Sequence, residues 1–152
     1  MTDTSTTSAG PPPRDYQGTR WVMGRVPAGS DLAAYLDALV RERNIRMGVL
    51  GVIGVVRQAR LGFFDTEARR YIVTEVDGHR EIAAASGDVS LRDGLPAVHV
   101  HLVLSDAEGR TAGGHLLEGT VVHYAEFWLQ VLDGPAFERG LDPETGVMGW
   151  VR

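Results

Sequence analysis

Apolar residues recur at intervals of three and four positions most clearly in the stretch that follows a Pro-Ala-Gly-Ser segment. This spacing puts them on one face of an amphipathic helix, which we predict over residues 31–43. Ser30 is well placed to cap the helix, and Asp31 is favourable in its first turn. The residues of the stripe are Leu32, Tyr35, Leu36, Leu39, Val40 and Arg43.

Most of the remaining chain has the shorter period of β-strands. The first strand is predicted at 21–26, and a glycine-rich apolar run from residue 45 to 64 follows the helix. Glycines in such a run usually mark bulges or close backbone approach, and no phosphate-loop spacing is present. Further strands are predicted at 70–76, 80–91, 97–104, 111–117 and 120–132, with turns at Asp77-Gly78 and Asp93-Gly94. This pattern predicts an α+β domain with a curved, mainly antiparallel, barrel-like sheet and one main helix.

Composition narrows the chemistry that this chain can perform. Its 152 residues suit a single domain, predicted over 19–152, after a Thr-, Ser- and Pro-rich tail at 1–18 that we expect to be disordered. Cysteine is absent and all 15 basic residues are arginine, which excludes thiolate, Schiff-base and P-loop lysine chemistry. The net charge of −5 disfavours nucleic acid binding. Neither a membrane span nor a signal peptide is predicted, so a cytoplasmic location is expected.

Histidines give the strongest chemical signal. His99 and His101 alternate with apolar residues, so both side chains face the same side of one predicted strand. A hairpin loop at 105–110 returns the chain beside that strand. One bulged residue at Gly113-Gly114 would then place His115 opposite His101. The sequence therefore predicts an open three-histidine metal site, of the kind that can hold a reactive water.

Two other histidines and three glutamates are harder to assign. His123 shares a strand face with Val121 and Phe127, which predicts a packed core histidine, and His79 is expected to be exposed in a turn. A working metal site also needs an acid–base group. The candidates are Glu118, Glu81 and Glu126, each equally compatible with a surface or ion-paired carboxylate. Spacing alone does not rank these three glutamates.

Several longer segments resemble the PPC domain family, the plants-and-prokaryotes conserved domain also called DUF296. They are HVHLVLSD, GRTAGGHLLEGTVV, EIAAASGDVS, the DGLPAVHVH junction and FERGLDPETGVMGW, within residues 20–151. The resemblance implies an antiparallel sheet with a crossing helix, assembled as a homotrimer. Plant members join this domain to AT-hook peptides that bind DNA, and no such peptide is present here. The stand-alone prokaryotic members resemble acetolactate decarboxylases in fold, and His99, His101 and His115 match the metal ligands of that fold.

Two hypotheses of function follow. The leading one is a homotrimer that binds a divalent metal, zinc above all, and acts as a lyase- or decarboxylase-like enzyme on a small carbonyl compound or oxo-acid. Arg57, Arg60 or Arg110 would then pair with a substrate carboxylate. The alternative is a DNA-binding or transcription-associated module, which the family label implies and the negative charge of the chain disfavours.

Overall fold

The structure is a computed structural model that describes residues 10–152. Its elements are β1 (Gln17–Val26), α1 (Leu32–Glu42), β2 (Gly48–Asp65), β3 (Arg70–Arg92), β4 (Leu95–Ser105), β5 (Thr111–Leu116), β6 (Val121–Asp133), β7 (Glu138–Leu141) and β8 (Met148–Trp150). Residues 1–9 of the predicted tail lie outside the described part, and 10–16 belong to no helix or strand. Within residues 10–152 no helix has the length and apolar character needed to span a bilayer.

The eight strands form one sheet in the order β1-β6-β2-β5-β4-β3-β7-β8, and β2 pairs with β3 as well. This extra pairing closes β2, β3, β4 and β5 into a ring of four strands. All pairs are antiparallel except β3 with β7. The prediction of a curved, mainly antiparallel sheet with one helix is therefore confirmed.

Helix α1 packs its apolar stripe against the core and fixes the start of β4. Leu32, Leu36 and Val40 are fully buried. Asp37, on the same helix, accepts a hydrogen bond of 2.8 Å from the backbone N–H of Val98, immediately before His99. The predicted cap is shifted by one residue, because the carboxylate of Asp31, not Ser30, accepts the hydrogen bond from the N–H of Ala34.

The predicted turn at Asp77-Gly78 is wrong, whereas the turn at Asp93-Gly94 is confirmed. Strand β3 runs without interruption for 23 residues, and the β2–β3 turn lies at residues 66–69 instead. The pairing of β3 with β2 shifts register between Val56 and Gln58, so a bulge absorbs the positive φ of Gly78. A turn dipeptide is thus overridden by the neighbouring strand.

The prediction that His123 is a core residue is also wrong. The pairing of β6 with β2 shifts register between Val55 and Val56, and this irregularity breaks the alternation of β6. Val122 and Ala125 are buried as a result, and His123 between them is exposed. The apolar core itself is formed by the buried face of α1 and by buried residues of β1 to β6.

Candidate metal centre

Strand register brings the three histidines of the predicted site together. His101 pairs directly with His115 across β4 and β5, as predicted. The reason differs from the one expected, because Ser105 pairs with Thr111 and the hairpin needs no bulge at Gly113-Gly114. The turn between them is closed by the Asp106 carboxylate, which accepts hydrogen bonds from the N–H groups of Glu108 and Arg110. His99 faces the same side as His101, two residues earlier on β4.

The three imidazole rings converge on one point. One nitrogen of each ring lies within 4.8 Å of the corresponding nitrogens of the other two. Ring centroids are 5.1 Å apart for His99 and His101, 4.9 Å for His99 and His115, and 5.5 Å for His101 and His115. His101 is exposed, while His99 and His115 are half-buried. The cluster is therefore open to solvent on one side and walled by protein on the other.

A carboxylate and a guanidinium hold His99 from behind. Asp88 pairs with His99 across β3 and β4, and its Oδ2 lies 3.5 Å from His99 Nδ1. Arg139 Nη2 donates to both Asp88 oxygens, at 2.9 and 2.7 Å, and lies 3.0 Å from His99 Nδ1. Arg139 also donates from Nε to the hydroxyl of Ser90. Asp88 accepts from a protonated Nδ1, whereas Arg139 can only donate to an unprotonated one, so these two neighbours favour different tautomers of His99. The tautomer with the proton on Nδ1 leaves the lone pair of Nε2 available to a ligand, the usual arrangement behind a metal-binding histidine.

The pKa values of Asp88, His101 and His115 are all lowered in this cluster. Burial alone raises the pKa of Asp88, but hydrogen bonds from His99 and Arg139 outweigh it and hold the pKa below its ordinary 3.8. Burial, followed by the charges of His99 and His101, lowers the pKa of His115 to about 4. Burial and then His99 lower the pKa of His101. Low pKa values favour neutral imidazole, which is the form that binds metal.

One observation tests directly whether these residues suit a divalent ion. Among residues 10–152, Nδ1 of His115 is the one buried side-chain polar atom that has no hydrogen-bond partner. A buried polar atom without a partner costs free energy, unless a water molecule or an ion from outside the chain binds it. Three neutral imidazoles supply the donor set that zinc and neighbouring transition metals prefer. The residues present therefore fit a divalent metal.

Two cavities meet at His115. The first has a volume of about 220 Å³, and its lining includes Tyr71, Arg92, His99, His115, Arg139 and Met148. The second, of about 170 Å³, shares Arg92 and His115 with the first and adds Glu118 and Asp37. The rings of Tyr71 and His115 lie 5.5 Å apart. The cluster thus borders space for a small molecule and is not sealed by apolar side chains.

The family can now be stated. Residues 14–133 match the Plants and Prokaryotes Conserved (PCC) domain, the PPC domain of the sequence comparison above. The chain belongs to the PCC domain family. Residues 134–152, which include Arg139 and Met148 of the first cavity, lie beyond the matched segment.

Solved structures and curated relatives resemble this PCC domain over most of its length. A metal-containing protein from Archaeoglobus fulgidus is 31% identical with a TM-score of 0.86, and covers 91% of this chain and 97% of its own. A PPC protein from Pyrococcus horikoshii is 34% identical with a TM-score of 0.84, at 90% and 94% coverage. The bifunctional protein GlmU of a Synechococcus strain is 36% identical over 126 residues, which are 82% of this chain and 19% of that relative. The chain thus spans about a fifth of the curated relative.

Two more distant solved structures concern the fold and a DNA-binding description given to relatives. A Staphylococcus aureus protein described as similar to α-acetolactate decarboxylase matches with a TM-score of 0.51 at 14% identity, over 76% of this chain and 53% of its own, and so shows the fold alone. A protein from Ralstonia eutropha, 25% identical with a TM-score of 0.75 and coverage of 87% and 92%, carries a provisional DNA-binding label. The predicted resemblance of this PCC domain to decarboxylases in fold is confirmed.

The three glutamates predicted as acid–base candidates lie in three different places. Glu118 lines the second cavity together with His115. Glu81 lies on β3 in a separate shallow cavity with His79 and Ser105. Glu126 lies on β6, where it accepts a hydrogen bond from the hydroxyl of Tyr124. The structure therefore brings only Glu118 beside the histidine cluster.

The arginines expected at the site are engaged elsewhere or point to other surfaces. Arg60 pairs with Glu75, and Arg110 pairs with Asp106 and Glu108. Arg57 is exposed on β2 and lines neither of the two cavities that meet at His115. The arginines at the site are Arg92 and Arg139, which sequence reasoning missed. Only the segment FERGLDPETG signalled Arg139, and nothing in local spacing linked it to Asp88, 51 residues earlier.

Proposed function

We propose that this PCC domain binds a divalent metal, zinc above all, through His99, His101 and His115. The observation that carries the proposal is the convergence of three imidazole nitrogens within 4.8 Å beside a cavity. Three protein ligands leave a coordination position for a small molecule, as in catalytic zinc sites. The Archaeoglobus fulgidus relative, described as metal-containing, supports the proposal.

The same geometry supports a lyase-like reaction on a small carbonyl compound such as an oxo-acid. Bound zinc supplies a Lewis acid that polarises a carbonyl oxygen. Asp88 and Arg139 both contact Nδ1 of His99 and so hold the orientation of its ring. Glu118, on the wall of the second cavity, is the carboxylate placed to move a proton, because it shares that cavity with His115. Tyr71 and Leu117 line part of the first cavity.

Elemental analysis of protein purified without an affinity tag tests the metal site. We expect about one divalent ion per chain in the wild type and none in His99→Ala. His123→Ala is the matched control, because it removes a histidine from a different surface and should keep the ion. Absence of metal from the wild type, even after dialysis against zinc, would end the enzymatic proposal. Screening of oxo-acids follows only from the positive result.

Assembly as a homotrimer is a second part of the proposal. Exposed apolar side chains on the sheet support it, since Trp21, Met23 and Phe63 are 57%, 72% and 65% exposed in the single chain. Edge strand β1 carries two of them, and no strand of residues 10–152 pairs with its outer side. Light scattering at micromolar concentration should give three times the mass of the chain. A monomer under those conditions would contradict this part and leave the metal site untouched.

Binding of DNA is the alternative function, and its support is the provisional label of relatives such as the Ralstonia eutropha protein. The chain has a net charge of −5, so any basic face would require segregation of its 15 arginines. A binding assay with duplex DNA at low salt, repeated at physiological salt, tests it. No binding at low salt would remove this alternative.

A further inference from the structure

Two arginines line the cavity beside the histidine cluster, and they differ in what they contact. The guanidinium of Arg139 donates hydrogen bonds to Asp88, to Ser90 and to the carbonyl of Met148. Arg92 makes no side-chain hydrogen bond and no ion pair with any residue from 10 to 152. Arg92 nevertheless lines both cavities that meet at His115. We propose that Arg92 is the recognition group for the carboxylate of a small ligand bound in this cavity.

The backbone holds Arg92 in place while its side chain stays free. Arg92 is the last residue of β3, where it pairs with Leu95 of β4 and Arg139 of β7. The turn that follows is tied to β7, because the N–H of Gly94 donates to the Glu138 carboxylate at 3.0 Å. An arginine on a fixed backbone loses less freedom when it binds a ligand. Its planar fork matches both oxygens of a carboxylate.

Charge balance in the first cavity favours an anion. Asp88 neutralises Arg139, and no carboxylate is among the residues that line this cavity. Among the described residues, Arg92 therefore remains as an uncompensated positive charge beside His99 and His115. In the second cavity Asp37 is held by Val98 and Arg41, and Glu118 forms no ion pair with Arg92. Neither Asp37 nor Glu118 therefore pairs with Arg92 in the way that a ligand carboxylate would.

The volume limits the size of the ligand. About 220 Å³ corresponds to the liquid volume of roughly seven water molecules, at about 30 Å³ each. A molecule of about that many non-hydrogen atoms fits, such as a short oxo-acid. This inference rests on the proposed function for the metal ion beside the ligand. The positive charge of Arg92 is present whether or not a metal is bound.

The test is NMR titration of ¹⁵N-labelled, zinc-loaded protein with pyruvate. We expect shifts of the backbone amides around Arg92, Leu95 and Val98, with affinity reduced at least tenfold in Arg92→Gln and partly retained in Arg92→Lys. Arg57→Gln is the matched control, since it removes an exposed arginine elsewhere and should bind like the wild type. The neutral analogue pyruvamide should bind the wild type no better than it binds Arg92→Gln.

Two readouts separate this proposal from that of the metal site. Zinc content, measured on the same samples, should be equal in the wild type and Arg92→Gln. If the chain holds no zinc but still binds pyruvate through Arg92, the carboxylate subsite stands and the metal site falls. If zinc is bound and pyruvate shifts no amide near Arg92, or binds Arg92→Gln as well as the wild type, the subsite is overturned.

Discussion

Histidine rings approach one another in two separate regions of this molecule, and distance does not tell these regions apart. Ring centroids are 4.9 Å apart both for His99 with His115 and for His79 with His123. The first pair belongs to a half-buried cluster with a third histidine and borders a cavity. The second pair lies on the exposed surface, at bulges of β3 and β6. Enclosure and the number of converging ligands, rather than proximity, distinguish a candidate metal centre.

The two pairs also differ in the hydrogen bonds that orient their rings. His99 is held by Asp88, which is held in turn by Arg139. No hydrogen bond within residues 10–152 orients the ring of His79 or His123, and Arg80 bonds only to the carbonyl of His79. A ligand that is already oriented pays less conformational entropy when metal binds. The comparison therefore predicts four results, from the largest effect to the smallest.

The largest effect is expected from His115→Ala. This change leaves two of three ligands, so zinc should no longer raise the melting temperature of the protein. In the wild type, zinc at about one thousand times its Kd should stabilise the fold by about 4.1 kcal/mol. Differential scanning calorimetry with and without zinc measures the difference. His79→Ala is the counterpart on the exposed surface, and loss of the zinc effect there would contradict the comparison.

Arg139→Met should give the next largest effect, on stability. The side chain of Arg139 is 8% exposed and that of Asp88 is 18% exposed, so the change leaves a largely buried carboxylate without its main partner. Breaking such a pair costs about 3 kcal/mol. Urea unfolding of the metal-free protein measures the loss. Arg80→Met is the control, because Arg80 only contacts the carbonyl of its neighbour, and its expected cost is below about 0.5 kcal/mol.

Asp88→Asn should weaken zinc binding while leaving all three ligands in place. Substitution of a group that orients a metal-bound histidine lowers affinity by about tenfold to one hundredfold. Competition with a chelating indicator gives the affinity. Equal affinity in the wild type and Asp88→Asn would show that the carboxylate supports the fold and not the metal centre.

The smallest effect is expected from Glu81→Gln, beside the exposed pair. Glu81 lines a shallow cavity with His79 and has no ion-pair partner among the described residues. Zinc affinity and the free energy of unfolding should both stay within error of the wild-type values. A large loss of zinc affinity in Glu81→Gln would indicate that the ion binds near His79 and His123, which contradicts the comparison.

Sequence reasoning succeeded where the structure is local. His101 and His115 belong to one hairpin with a short turn, so their pairing was predicted correctly, although the prediction assumed a bulge at Gly113-Gly114 that the structure does not have. It failed where a contact depends on the pairing of strands that are far apart in the sequence. Asp88 and Arg139 meet only because β7 pairs with the end of β3, and no local pattern carries that pairing. The bulge at His123 likewise arises from the register of β6 with β2, which the alternation of β6 alone does not reveal.

The ring formed by β2, β3, β4 and β5 has a consequence for the stability of the fold with and without the proposed ion. The strands that carry the three histidines are paired on both sides, so their backbone hydrogen bonds do not depend on metal. We expect the amide hydrogens of Val100 and Leu102 to exchange slowly in both forms. Zinc-dependent folds, in contrast, lose their structure on chelation. Scarcity of metal would then change the fraction of molecules that carry the proposed ion and not the amount of folded protein.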